Sequence, residues 1–325
     1  MVTKDDFLGG DFVSIKDLSV EEIDFILEHA REIEENFLDY RSRMQGRLFA
    51  PLFFERSTRT DISFQSAIAH MGGRFLDFDE ASSSVGKGET LRDTVKTIER
   101  YRTSAIVARH NLDGSATLVA DSVQIPVINA GDGKNEHPTQ TLLDLYTIKE
   151  LRGKLSGTRI AIAGDLKLGR TVHSLSYALS LYEGCEMDFI SSDSLKMPQD
   201  LIEDLKKRGV RVFEYGLDRL ENLAESPDLL YMTRIQRERF PQDEEGKAEY
   251  KRVCSRYNLR VRMLEGVGND FRILHPLPKV GEIDLAIDDT PYAYYFSQLE
   301  NGLYVRMALL DLLVGDRGSG SLKNE

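Results

Sequence analysis

Cysteine is nearly absent. The 325 residues contain two, Cys185 and Cys254, too few for a disulfide framework and without the Cys-x-x-Cys spacing of zinc or thioredoxin-like redox sites. That excludes the disulfide-stapled secreted scaffolds and fits a reducing compartment. Long apolar runs are missing as well. No stretch approaches about 18 uncharged apolar residues, and the opening residues Met1 to Asp6 carry early acids with no apolar segment after them. Neither a membrane span nor secretion is expected, and the chain reads as cytoplasmic. Basic residues fall short of acidic ones, 42 against 54, leaving a formal charge of −12. Such a balance argues against a broad nucleic-acid or anionic-membrane surface, so any bound anion must meet a local cluster of cations. With 9 Pro, 25 Gly, 41% hydrophobic and 30% charged residues, the composition is globular rather than disordered or fibrous. The length suggests two domains.

The first clear helix is opened by Ser19, with Glu22 three residues on as a capping box, and carries Ile23, Ile26, Leu27, Ala30, Ile33 and Phe37 at helical spacing. Short apolar runs then alternate with amphipathic stretches: candidate strands at Leu48 to Phe54, Phe75 to Phe78, Ala105 to Ala108 and Pro126 to Ala130. This is the βα rhythm of a parallel sheet. A helix from about His137 to Leu151 leads into the polar break Arg152 to Gly157, where the domain boundary is expected. The rhythm restarts with strands at Arg159 to Ala163, Glu186 to Ile190, Val210 to Phe213, Leu229 to Met232 and Arg272 to Leu274. A final apolar helix from about Pro291 to Val314 is long enough to pack back on the first domain, and residues 315–325 read as a frayed tail. The expectation is an α/β chain of two doubly wound parallel-sheet domains. The first is 1–152, completed by the C-terminal helix at about 297–314, and the second is 153–296.

Ligands of open α/β sheets sit beyond the carboxyl ends of the strands. The residues past those ends are one-sided here: Ser57, Thr58, Arg59 and Thr60 after the first strand, then Arg109, His137, Arg170, Arg234 with Gln236, and His275. Guanidinium forks match phosphate and carboxylate bidentately, so the pattern points to small substrates carrying several negative charges. Hydroxyls and backbone N–H groups opening a helix at Ser57 to Thr60 form a phosphate cradle. There is no GxxxxGK[ST] loop, and Gly164 to Arg170 is not GxGxxG, so nucleotide and dinucleotide readings lack support.

Six ordered motifs then converge. They are Phe53-Phe54-Glu55-Arg56-Ser57-Thr58-Arg59-Thr60, Ser84-Val85-Gly86-Lys87-Gly88-Glu89-Thr90, and Asn129-Ala130-Gly131-Asp132-Gly133 with His137-Pro138-Thr139-Gln140. Gly164-Asp165-Leu166-Lys167 with Gly169-Arg170-Thr171, Tyr231-Met232-Thr233-Arg234-Ile235-Gln236, and His275-Pro276-Leu277-Pro278 complete the set. Over most of its length the chain resembles the catalytic chains of aspartate carbamoyltransferases, within the aspartate/ornithine carbamoyltransferase superfamily.

The resemblance implies transfer of a carbamoyl group from carbamoyl phosphate to L-aspartate, in pyrimidine synthesis, with no metal or organic cofactor. By motif position, Ser57, Thr58, Arg59 and Thr60 would hold the phosphate. Thr60, Arg109 and His137 would point at the carbonyl oxygen as an oxyanion hole, worth roughly 3 to 4 kcal/mol per donor. Gln140 and the carbonyls of Leu277 and Pro278 would accept from the carbamoyl NH2, while Arg170, Arg234 and Gln236 would bind the aspartate carboxylates. Ser84 and Lys87 would reach into a neighbouring subunit's site, making the enzyme a homotrimer with shared sites, in some relatives joined by regulatory chains. Glu55 would orient an active-site arginine, and the charged segment Glu238 to Asn258 would close over aspartate. Two residues depart from the family pattern: Arg56 and Asp61 flank the phosphate motif, where they could compensate each other, or Asp61 could face the phosphate and weaken its binding. The alternatives are an ornithine carbamoyltransferase, which usually has cysteine where this chain has Pro276, and a non-catalytic carbamoyltransferase-like subunit.

Overall fold

The computed structural model describes residues 1–79, 88–227, 229–237 and 240–315. Helix α1 (Val20–Glu35) starts where its capping box predicts: the Ser19 hydroxyl accepts from the Glu22 N–H at 3.2 Å, and Glu22 accepts from the Ser19 N–H at 2.8 Å. Two orphan donors of the first turn are thereby satisfied, and Ile23, Ile26, Leu27, Ala30 and Ile33 are buried. Phe37 lies beyond the helix end, in edge contact with His70 and Tyr304.

Two compact units divide the chain, Met1–Tyr146 with Glu300–Glu325, and Thr147–Leu299. In the first, strands β1 (Leu48–Phe53), β2 (Arg74–Phe75), β3 (Ala105–His110) and β4 (Val127–Asp132) form a parallel sheet in the order β2-β1-β3-β4. Parallel strands covered on both faces need continuous apolar runs, and Phe49 through Phe53 and Ala105 through Arg109 are all buried. The helices of this unit are α1, α2 (Thr58–His70), α3 (Leu91–Arg100), α4 (Ser115–Ala120) and the start of α5 (Pro138–Arg152).

Strand β2 is shorter than the run Phe75 to Phe78 suggests, and the reason lies on its partner. Leu76 N–H donates to the Phe49 carbonyl. The next rung would need an N–H from residue 51, which is proline and has none. Pairing stops there.

In the second unit β5 (Arg159–Ala163), β6 (Glu186–Ile190), β7 (Arg211–Tyr215), β8 (Leu229–Met232) and β9 (Arg272–Leu274) form a parallel sheet in the order β7-β6-β5-β8-β9. Helices α6 (Arg170–Ser180), α7 (Gln199–Lys207) and α8 (Glu244–Arg256) accompany it. Its core gathers Ala161, Ala163, Leu230, Met232 and Ile273 from the sheet with Tyr257, Leu259 and Tyr295.

Helix α9 (Tyr295–Val314) belongs from Glu300 onward to the first unit, as the apolar C-terminal run predicts. Its anchor is Asp311, fully buried, which accepts from Lys4 Nζ at 2.9 Å, His29 Nε2 at 2.9 Å and Arg43 Nε at 2.8 Å. The units part within α5 and within α9, whereas the polar break 152–157 begins at Arg152, the last residue of α5. Among the described residues no helix is long and apolar enough to cross a membrane. The expected tail, apart from Gly315, lies outside the described residues.

Candidate functional site

In each sheet the strand order reverses direction at one place, between β1 and β3 in the first and between β5 and β8 in the second. The crevice at the carboxyl end of such a switch point is where this architecture binds ligands. The cation-rich motifs leave these four strands.

At the first switch point β1 runs through Phe54 and Glu55 into α2. Ser57 takes the N-cap position, but its hydroxyl makes no capping bond, so it does not serve as an ordinary helix cap. Thr58 and Arg59 are exposed at the helix start, and Thr60 is buried. Serine, threonine, arginine and the first-turn N–H groups are thus gathered where the helix dipole favours an anion.

Strand β3 runs two residues past Ala108, so Arg109 stands within the strand rather than after it. Its guanidinium donates to the Ala130 carbonyl at 3.0 Å and pairs with Glu55 at 2.9 Å. Glu55 thus has the arginine partner expected of it, and a planar fork with two fixed partners is held in one orientation.

His137 precedes α5 and is 5% exposed. Its Nε2 lies 3.5 Å from the Thr60 hydroxyl and its Nδ1 3.3 Å from that of Thr139. Gln140, one turn into α5, donates its amide to Asp144 at 2.9 Å, which directs the amide carbonyl the other way. Asp144 is fully buried and electrostatically supports Arg306, whose guanidinium donates to the Ser63 hydroxyl at 2.9 Å and stacks over Phe64. Burial pulls the Arg306 guanidinium down to about 10, with Asp144 opposing that pull. Gly302 makes room for it, since a Cβ there would sit 2.4 Å from Arg306 Nη1. Asp144 escaped the motif reading, although a glutamine and an aspartate four apart on a helix is itself a pairing signal.

The expected compensation between Arg56 and Asp61 is not made. Asp61 instead accepts from Gln65, its neighbour one helical turn on, at 2.8 Å, because residues four apart share a helix face. Among the described residues no ion pair joins it to Arg56. Burial raises the Asp61 carboxyl above its ordinary value, Asp77 adds to that, and the Gln65 bond opposes both.

At the second switch point β5 ends at Ala163 and the Gly164 to Gly169 loop delivers Arg170, half-buried, as the first residue of α6. The Asp165 carboxylate accepts from the Leu168 N–H at 3.0 Å, and His173 Nε2 lies 2.7 Å from the Leu166 carbonyl, which ties the loop to α6. Beside β5, β8 delivers Arg234 and Gln236, both half-buried.

Past β9, His275 Nδ1 accepts from the Leu277 N–H at 2.7 Å, so its proton is on Nε2, donated to Glu282 at 2.8 Å. Glu282 accepts from the Val280 N–H at 2.8 Å as well. Leu277 has a positive φ of 53°, rare for a residue with a side chain, and this network holds the backbone of Leu277 and Pro278. Glu282 was not foreseen, because it lies seven residues along a loop from its histidine.

Within the first unit the structure therefore brings together Glu55 with Arg109, and Thr60 with His137, while Gln140 meets Asp144. In the second, Arg170 and the Arg234–Gln236 segment leave adjacent strands. Ser84 and Lys87 lie outside the described residues, as do Glu238 and Arg239 of the charged segment whose helix is α8.

Residues 10–150 match the family model of the aspartate/ornithine carbamoyltransferase carbamoyl-P binding domain, and residues 156–313 that of the Asp/Orn binding domain. The aspartate carbamoyltransferase catalytic subunit of Thermococcus kodakarensis is 48% identical over 319 residues, covering 96% of this chain and 99% of that protein. The catalytic subunit of M. jannaschii aspartate transcarbamoylase, in an orthorhombic crystal form, superposes with a TM-score of 0.85 at 47% identity, over 93% of this chain and 97% of that one. The Trypanosoma cruzi aspartate transcarbamoylase in complex with N-(phosphonacetyl)-L-aspartic acid superposes with a TM-score of 0.88 at 32% identity, over 95% and 97% of the two chains.

Proposed function

The chain belongs to the aspartate/ornithine carbamoyltransferase family, and on that footing we propose that it is an aspartate carbamoyltransferase, joining carbamoyl phosphate and L-aspartate into N-carbamoyl-L-aspartate and phosphate. The observation that carries the choice of amino acid is the second switch point. Two guanidinium groups, those of Arg170 and Arg234, leave the adjacent strands β5 and β8 with Gln236 beside them. Such a set suits a dicarboxylate and would repel the side-chain ammonium of ornithine.

In this reading Ser57, Thr58, Arg59 and Thr60 hold the phosphate of carbamoyl phosphate on the first unit. Thr60, Arg109 and His137 face the carbonyl oxygen. The His137 nitrogen nearest Thr60 is Nε2, so in this reading Nε2 carries the proton turned toward the carbonyl oxygen. Gln140, its carbonyl turned outward by Asp144, accepts from the carbamoyl NH2 together with the carbonyls of Leu277 and Pro278.

The chemistry needs no nucleophilic side chain. The unprotonated amine of aspartate forms the new C–N bond at the carbonyl carbon, and negative charge grows on the carbonyl oxygen against the three donors. The bond from that carbon to the bridging phosphate oxygen then breaks, and the departing phosphate takes the amine proton. Catalysis is juxtaposition of two anions plus preorganised donors. Ser84 and Lys87 complete the phosphate side from a neighbouring subunit of a cytoplasmic homotrimer, placed in pyrimidine synthesis.

Two substitutions test the assignment. Arg59→Ala raises the KM for carbamoyl phosphate at least about tenfold and leaves that for aspartate within about twofold, while Arg170→Ala does the reverse. Steady-state kinetics with each substrate varied in turn checks this. Equal effects of both variants on both constants would contradict the division of roles.

A further inference from the structure

Tyr257, the residue after α8, is 2% exposed and belongs to none of the six sequence motifs. Its hydroxyl sits at the junction where β5 and β8 end. The oxygen is 2.8 Å from the Ala163 carbonyl and 2.9 Å from the Thr233 carbonyl, between which its single proton is shared, and it accepts from the Thr233 N–H at 3.2 Å. The last ladder pair of these strands is Ala163 with Met232. The Thr233 N–H closes that rung on the Ala163 carbonyl at 2.9 Å, and the phenol doubles the link between the same two residues, at the place where both chains leave the sheet.

The approach is close enough to dictate a neighbour. A Cβ on Gly164 would stand 2.7 Å from the Tyr257 hydroxyl and 2.4 Å from Thr233 Oγ1, and the φ of Gly164 is +125°. Only glycine fits there. Burial, with Glu282 nearby, raises the phenol well above its ordinary value of 10.0, so it remains a donor at any working pH.

The segments leaving this junction carry the proposed dicarboxylate set. Arg234 comes directly after Thr233, and Arg170 stands six residues past Gly164. The chain from Thr233 through α8 also returns to its own starting point at Tyr257, so one hydroxyl closes that excursion. Two guanidinium groups that grip two carboxylates must be held within fractions of an ångström. We infer that Tyr257 is a positioning residue for aspartate: its hydroxyl clasps the exits of β5 and β8 and so fixes Arg170 and Arg234 relative to one another.

The inference rests on the aspartate carbamoyltransferase reading, and wild-type protein run beside the variants separates the two. Tyr257→Phe removes only the hydroxyl. The expected result is an aspartate KM raised roughly five- to tenfold, with the carbamoyl phosphate KM and the kcat at saturating aspartate within about twofold of wild type. A merely structural tyrosine would lower the melting temperature and leave the aspartate KM alone, and that result overturns the inference, as does an equal rise in both KM values. Should Y257F be recovered unfolded, Thr233→Val takes its place. It deletes the 3.3 Å bond from Thr233 Oγ1 to the Ala163 carbonyl at the same junction, and a selective aspartate KM rise of about two- to threefold is expected. No selective rise overturns the inference. Wild type that fails to use aspartate overturns the functional reading and this inference with it, whereas active wild type beside unaffected variants overturns this inference alone.

Discussion

Gln140 shows how much of a site is decided by one proton donor. An amide has two ends of opposite character, and only its carbonyl end can accept from a carbamoyl NH2. The 2.9 Å bond from its NH2 to Asp144 selects that end. Asp144→Asn offers the amide a partner in either orientation and also removes the carboxylate that supports buried Arg306. The kcat/KM for carbamoyl phosphate is expected to fall about tenfold, equivalent to about 1.4 kcal/mol, with the aspartate KM little changed. Initial-rate kinetics on the purified variant decides it, and an unchanged kcat/KM would show that Gln140 is oriented by something else. Gln140 itself is singled out by its motif, as are Ser57 to Thr60, Arg109, His137, Arg170 and Arg234, and their roles stand as proposals. Asp144, Glu282 and Tyr257 are not singled out, because each acts on another residue's geometry. For Glu282 and Tyr257 the partner is brought near only by folding.

Elements were read best where their signals are local. The Ser19 and Glu22 box starts α1 where the sequence places it, and the apolar runs of β1, β5 and β8 need no tertiary knowledge. One failure was non-local, strand β2 being cut short by Pro51, a residue of its partner; the other was local, the Asp61 carboxylate accepting from Gln65 one helical turn on rather than pairing with Arg56. The attachment of α9 was legible as an apolar helix, but its polar anchor was not. Burial alone would raise the Asp311 carboxyl, yet hydrogen bonds from His29 and Lys4, the Lys4 charge and the Arg43 bond hold it well below the usual carboxylate range. A carboxyl lowered in the folded state contributes stability that is complete above its unfolded value near 3.8 and is lost as pH falls through the folded one. Asp311→Asn leaves Lys4 and Arg43 facing a neutral group and should cost about 3 kcal/mol near neutral pH. Urea unfolding of both proteins across pH should show the gap shrinking as the pH drops below 3.8. A gap independent of pH would mean that shape, not charge, makes the anchor.

At the scale of the molecule, an acidic chain of net charge −12 sets its site cations at two topological switch points, one in each compact unit. In the proposed reading this division of labour suits a reaction between two anions, one unit recognising a phosphate ester and the other a dicarboxylate, with cations offsetting the repulsion. The measurement that tests this most directly is product formation by the purified chain, given carbamoyl phosphate with L-aspartate or, in parallel, with L-ornithine, its oligomer sized in the same buffer. The account predicts carbamoyl-aspartate from a trimer-sized species and no citrulline. Turnover of ornithine, or none with aspartate from a folded trimer, would contradict it.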